Sequence, residues 1–285
     1  MATEFKKYSL NIHGSLYELD SPKVMGILNV TPDSFYSGSR CSTDDALIER
    51  RVHQIIDEGA DMIDIGGYSS RPNADDISPE EEYSRLDRGL RIIRSIAPDA
   101  IVSVDTFRAD VARCCVENWG VEIINDISGG DLDNAMFETV AALKVPYILM
   151  HMRGTPATMN TLTQYDKVVV DVIKDLGAKV QRLNALGVAD VIIDPGFGFS
   201  KTIEQNYRLM KHLALFHSLA LPLLVGISRK SMIYRPLGIT PEQSLNGTTA
   251  LNMVALAAGA HILRVHDVKE ACEAVKIHNL IKSQD

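Results

Sequence analysis

Eight times along the chain a short run of β-branched and apolar residues is followed by a segment of helical periodicity, and this alternation constrains the fold more than any other feature. The runs are VMGILN (24–29), DMIDIG (61–66), IVSVDT (101–106), VEIIND (121–126), YILMHM (147–152), VIIDPG (191–196), LLVGIS (223–228) and HILRVHD (261–267). They show little in-and-out alternation, as expected of strands covered on both faces, and the segments between them are long enough for crossover helices. Several of those segments open on Ser, Thr or Asp and close on glycine, as at Gly59, Gly120 and Gly187. One long helical pattern covers Tyr165 to Gly187 and another covers TIEQNYRLMKHLALFHSL. Eight strand-helix units predict a (β/α)8 TIM barrel over about 24–285, in a single domain. An open doubly wound sheet is disfavoured, because no GxGxxG follows the first strand. Ahead of the barrel, YSLNIHGSLYEL alternates around His13-Gly14 and predicts a β-hairpin over about 8–20.

Most of the apolar runs end in polar or ionisable residues: Asn29, the Ser69-Ser70-Arg71 loop, Asp105, Asn125-Asp126, His151 and Arg153, Asp194, Ser228-Arg229-Lys230, and Arg264-His266-Asp267. Each has a plainer reading on its own. An Asp after a strand usually caps a helix or a turn, Asn125-Asp126 suits an Asx turn, His151 and Met150 suit a core, and Lys230 suits a solvated surface. In a barrel, however, all these positions meet at the C-terminal rim, where the active sites of this fold lie. Such a mouth suits a polar, charged substrate. A heterocycle with a guanidine-like edge would pair with Asp194, and Asn125 and Asp105 would satisfy further ring donors. Arg264 and His266, with Asn29 holding a divalent cation, would form an anion site for a phosphate or diphosphate.

Composition narrows the classes further. The formal charge is −8 with a pI near 5.5, and no basic block is present, which argues against nucleic-acid binding. The N-terminal MATEFKKYSL has no apolar signal core, and no run approaches the roughly 18 apolar residues of a membrane span. Cys41, Cys114, Cys115 and Cys272 lack ligand spacing and are expected to be reduced thiols, so the expected location is the cytoplasm.

The segments NVTPDSF, DIGG with its SSRP loop, SVDTF, INDISGG, LMHMRGTPATM, DPGFGFSKT, GISRKSMI, NGTTALN and RVHDV occur in this order over residues 24–268. Together they resemble dihydropteroate synthase. The resemblance implies a homodimeric barrel enzyme that joins 6-hydroxymethyl-7,8-dihydropterin diphosphate to 4-aminobenzoate in folate biosynthesis, with Mg2+ as cofactor. It implies that Asp105, Asn125, Asp194 and Lys230 hold the pterin, with Ile127, Met150 and Gly226 lining its slot. Asn29 would help bind Mg2+, and Arg264 with His266 would grip the diphosphate. Ser70, Arg71 and Pro72 would belong to a loop over the aminobenzoate, whose pocket Phe197, Lys230 and Ser231 would line. Asp33 would sit in a lid and add negative charge near a cationic intermediate.

The chain departs from the family's usual pattern in several places. Tyr68 stands where Glu is common, Ser70 where Thr is, Ser200 where Gly is usual, and Tyr36-Ser37-Gly38-Ser39 where Asp-Gly-Gly is frequent. Two rival readings fit the sequence less well. A corrinoid-linked methyltransferase would share the barrel and the Asp/Asn contacts but would not need Arg264-His266, the SSRP loop or SRKS. A non-catalytic pterin-binding paralogue would leave the full residue set without a purpose.

Overall fold

The computed structural model describes residues 5–31, 45–69 and 76–284. The chain opens with the expected hairpin, β1 (Tyr8–Ile12) paired antiparallel with β2 (Ser15–Leu19). Its two-residue turn places His13 at φ 50° and Gly14 at φ 82°, both in the left-handed region that twists a tight hairpin correctly. The Asn11 side-chain oxygen accepts from the Gly14 N–H at 2.8 Å and closes the turn.

The eight runs form eight parallel strands: β3 (Lys23–Asn29), β4 (Met62–Gly66), β5 (Ile101–Asp105), β6 (Ile123–Asp126), β7 (Tyr147–Met150), β8 (Val191–Asp194), β9 (Leu224–Val225) and β10 (Ile262–Val265). Their order is β8-β7-β6-β5-β4-β3-β10-β9, and a parallel bridge between Ile193 and Leu223 brings the two ends together. The structure is therefore the predicted TIM barrel with an N-terminal hairpin. β9 is only two residues long. Pro222 just before it has no N–H to donate, and its carbonyl accepts from Ile193 N at 2.9 Å.

Around the sheet run α1 (Asp45–Asp57), α2 (Pro79–Ile96), α3 (Ala109–Trp119), α4 (Met136–Leu143), α5 (Val168–Ala185), α6 (Ile203–Lys211), α7 (Ser231–Leu237), α8 (Leu245–Ala257) and α9 (Val268–Lys282). Local sequence explains their ends. Ser78 caps α2 by accepting from Glu81 N, with Pro79 following, and Thr202 with Gln205 forms a reciprocal capping box on α6. The continuous helix expected over 202–219 is instead broken. α6 stops at Lys211, and Leu213–Leu219 winds as a 3-10 helix. In that tighter winding residues three apart eclipse, so Leu213 and Phe216 are buried together against the outer core.

Outward residues such as Val24, Leu28, Ile65 and Val104 pack against the helices in one large cluster. Inward residues form layers. The lowest contains Met25, Met62, Ile123, Ile148, Ile192, Leu224 and Ile262, and hairpin residues Leu10 and Leu19 join it. The hairpin thus closes the N-terminal end of the barrel with apolar side chains. His261 fastens the preceding segment. Its Nδ1 accepts from Leu223 N at 3.1 Å, so Nε2 carries the proton and donates to the Lys6 carbonyl at 2.8 Å. Burial pushes this imidazole down to about 4, which keeps it neutral.

Candidate active site

Because side chains alternate along a strand, the residues two positions above the apolar layer point into the same lumen. They are Ile27, Asp64, Asn125, Met150, Asp194, Gly226 and Arg264. One step of the pleat therefore converts an apolar base into a charged floor. Above it opens a cavity of about 600 Å³. Asn29, Asp105, Asn125, Ile127, Met150 and Asp194 line it, as do Gly226, Lys230, Ser231, Arg264 and His266, all expected from the sequence.

Asp64 was not among the expected residues. It is fully buried, and its Oδ2 accepts from Arg264 Nε at 2.6 Å and from Asn125 Nδ2 at 3.1 Å. Arg264 Nη2 also donates to Asp105 Oδ2 at 2.7 Å, so one guanidinium joins two carboxylates. The signal in the sequence was a carboxylate inside the apolar run DMIDIG, on the inward parity set by Met62. Burial raises Asp105 to about 7, against the pull of Arg264 and with help from Asp64. Burial alone would weaken the protonation of Arg264, but the two carboxylates hold its affinity for the proton above the ordinary value.

Asp194 and Lys230 form the opposite wall. Burial raises Asp194, and the Lys230 charge opposes that shift. Burial lowers Lys230 to about 8, with Asp194 opposing in turn. The Asp194 Oδ1 accepts from Gly196 N at 2.7 Å, and Lys230 Nζ donates to the Phe197 carbonyl at 2.5 Å. His266 is held well below its usual value by burial and then by Arg264, Arg51 and Arg229, and its Nδ1 lies 3.0 Å from Ser228 Oγ.

Phe197 differs from expectation. Its ring is fully buried in the outer core, and it meets Lys230 only through its carbonyl. Phe199 lines the cavity instead, with Lys230 Nζ 4.7 Å from its ring centre. The two glycines that flank Phe197 decide this. Gly196 (φ 71°) and Gly198 (φ 80°) reverse the chain twice, and a Cβ on Gly196 would collide with the His151 carbonyl.

Other rim residues hold the frame. Asp126 Oδ1 accepts from the N–H and hydroxyl of Ser128, and Oδ2 from Gly130 N and the Tyr147 hydroxyl, so the Asx-turn reading of this residue holds. His151, neutralised by burial, accepts from Lys201 Nζ at 3.0 Å, and the same ammonium donates to the carbonyls of Gly196 and Phe199. Arg229 adopts φ 56° while its guanidinium forms a two-point pair with Asp267 at 2.8 and 2.7 Å. Tyr68 lines the mouth, its ring edge-on to Phe107 at 5.0 Å. Asp33, Ser70, Arg71 and Pro72 lie outside the described residues, as does the expected lid.

Ser200 has a physical role where glycine is usual. It adopts φ 52°, and its hydroxyl accepts from Arg153 N at 2.7 Å and donates to Arg153 O at 3.0 Å, which ties the β7 and β8 loops together. Ser200→Ala keeps the backbone strain and loses both bonds. It is expected to cost roughly 1–3 kcal/mol in urea unfolding, and Ser200→Gly less, because glycine relieves the strain. No loss in Ser200→Ala would mean that the hydroxyl does not clamp the two loops.

Fold and site together define a (β/α)8 enzyme that binds a polar heterocycle, and the sequence profile of the family described as pterin binding enzyme matches residues 25–266. Dihydropteroate synthase of Escherichia coli K12 is 43% identical over 270 residues, covering 93% of each chain. The chain belongs to the dihydropteroate synthase family. Among solved structures, the Yersinia pestis dihydropteroate synthase in complex with a sulfonamide drug superposes with a TM-score of 0.89 at 39% identity, covering 97% of this chain and 100% of that one. The Xanthomonas albilineans dihydropteroate synthase with 4-aminobenzoic acid gives 0.88 at 36% identity, over 97% and 99% of the two chains.

Proposed function

We infer that the chain condenses 6-hydroxymethyl-7,8-dihydropterin diphosphate with 4-aminobenzoate, giving 7,8-dihydropteroate and diphosphate in folate biosynthesis. The observation that carries this reading is the meeting of Asp105, Asn125, Asp194 and Lys230 with Arg264 and His266 in one cavity, in a member of this family. Asp194 can accept from the amino group and adjacent ring N–H of the pterin, while Lys230 donates to its carbonyl edge. Met150, Ile127 and Phe199 supply the apolar faces between which a flat ring fits. The aminobenzoate would enter above it, toward Ser231.

An aromatic amine is neutral at pH 7, so its lone pair needs no strong base, and departure of diphosphate is the demanding step. Arg264, with the neutral imidazole of His266 beside it, would face the leaving group, while the carboxylates of Asp194 and Asp105 favour positive charge developing on the pterin methylene. The displacement is accordingly SN1-like: the C–O bond to diphosphate breaks ahead of C–N bond formation, and the amine then loses a proton.

For Mg2+, no group of three or more His, Cys, Asp or Glu suited to a metal occurs among the described residues. Asn29 would suit an ion that keeps its waters and arrives on substrate phosphates, since its side chain lines the cavity. Such an ion would neutralise charge on the departing diphosphate. Exposed apolar side chains on α9, Ile277, Leu280 and Ile281, support association as a homodimer. No described helix is long and apolar enough to cross a membrane.

The test is a diphosphate-release assay with and without Mg2+ and 4-aminobenzoate. Release should require both, and release indifferent to 4-aminobenzoate would overturn the reading.

A further inference from the structure

We propose that Asp64 is a positioning residue that makes the floor of the cavity selective for a reduced pterin ring, by turning the carbonyl of Asn125 toward the ligand. The proposal deepens the pterin reading above and rests on it. A carboxylate only accepts hydrogen bonds, so the group that Asn125 presents to Asp64 must be its NH2, as the 3.1 Å contact from Nδ2 to Oδ2 has it. The same oxygen accepts from Arg264 Nε at 2.6 Å. This pairing keeps a cation beside Asp64 and fixes the carboxylate in place. Asn125, 4% exposed at the cavity wall, then has its Oδ1 left to face the bound ring.

The floor that results is rich in acceptors. Asp105 and Asp194 carboxylates and the Asn125 carbonyl line it, and Asp64 Oδ1 is buried without a hydrogen-bond partner among the described residues. On the same floor two of the Arg264 N–H groups are already committed, Nε to Asp64 and Nη2 to Asp105. A buried acceptor left facing another acceptor is penalised, so this arrangement favours the ring with more N–H groups. The 7,8-dihydropterin carries an N–H at the ring position where the oxidised pterin has a bare nitrogen. Selection follows from hydrogen count and not from shape, since the two rings are nearly the same size.

The experiment compares dissociation constants of 6-hydroxymethyl-7,8-dihydropterin and 6-hydroxymethylpterin for wild type and Asp64→Asn by calorimetry. Asp64→Asn lets the amide of residue 125 rotate, and the preference for the reduced ring should fall by about tenfold. A purely structural role would weaken both ligands alike. An unchanged ratio overturns the proposal while the pterin reading stands; wild type that binds neither pterin overturns both. A measurement on the unmodified protein covers the case in which the variant misfolds. The Asn125 side-chain amide protons, assigned by their loss in Asn125→Asp, should show a nuclear Overhauser contact to the Arg264 Nε proton, because both donors share one oxygen. Absence of that contact means the amide faces the other way, and the proposal fails.

Discussion

Asp194→Asn is expected to leave the barrel folded and to lower kcat/KM for the pterin substrate by about 10²–10³-fold. The amide can still accept from Gly196 N, so the loop after β8 keeps its 2.7 Å anchor. What disappears is the charge. An ionised acceptor makes hydrogen bonds roughly twice as strong as a neutral one, and it alone stabilises positive charge that grows on the pterin as diphosphate leaves. Turnover should therefore fall far more than the affinity for diphosphate measured by calorimetry; equal losses would remove Asp194 from the chemical step.

A second consequence separates this role from simple binding. Lys230 sits at about 8 because burial lowers it and Asp194 opposes that lowering. With the carboxylate gone, Lys230 gives up its proton at lower pH still. The alkaline limb of the pH-rate profile should then shift to lower pH in the variant.

Arg264→Met should have the largest effect on stability. It leaves Asp64 and Asp105 close together in the barrel with their cation removed. Removing one partner of a buried ion pair typically costs ~3–5 kcal/mol, because the other charge stays buried and uncompensated. The loss should depend on pH in a definite direction. Asp105 is already raised to about 7, and Arg264 is what holds it from rising further. A carboxyl raised on folding binds more protons folded than unfolded, so its stabilising effect is present at acid pH and lost as pH climbs through the folded value. Urea unfolding at about pH 5 and pH 8 should show the gap between wild type and Arg264→Met widening with pH. A gap that narrows would mean that the carboxylates are not the source of the cost.

The strands could be read because they are buried on both faces, so each appears as a continuous apolar run, and the polar residues at their ends could be read because strand ends meet at one rim. Asp64 escaped that reading through its place in the middle of a strand. It belongs to the lumen by parity, a period-two property that strand-end inspection ignores. Its bond to Arg264 spans 200 residues of sequence and has no local signature. Phe199 escaped for a different reason: left-handed glycines on either side of Phe197 reverse the loop, and no hydrophobic period survives such a path. Ser200 shows the opposite case, in which an apparent lapse from glycine is a residue that tolerates the strained backbone because its hydroxyl holds two loops together.

The apolar layer beneath the charged floor, sealed by Leu10 and Leu19 of the hairpin, makes the cavity a blind shaft. A ring seated on its floor has its way out only past the mouth, so a compound bound near Ser231 would stand across that exit as well as displace its own competitor. Residence time of the buried ring would then be set at the mouth, by residues that never touch it.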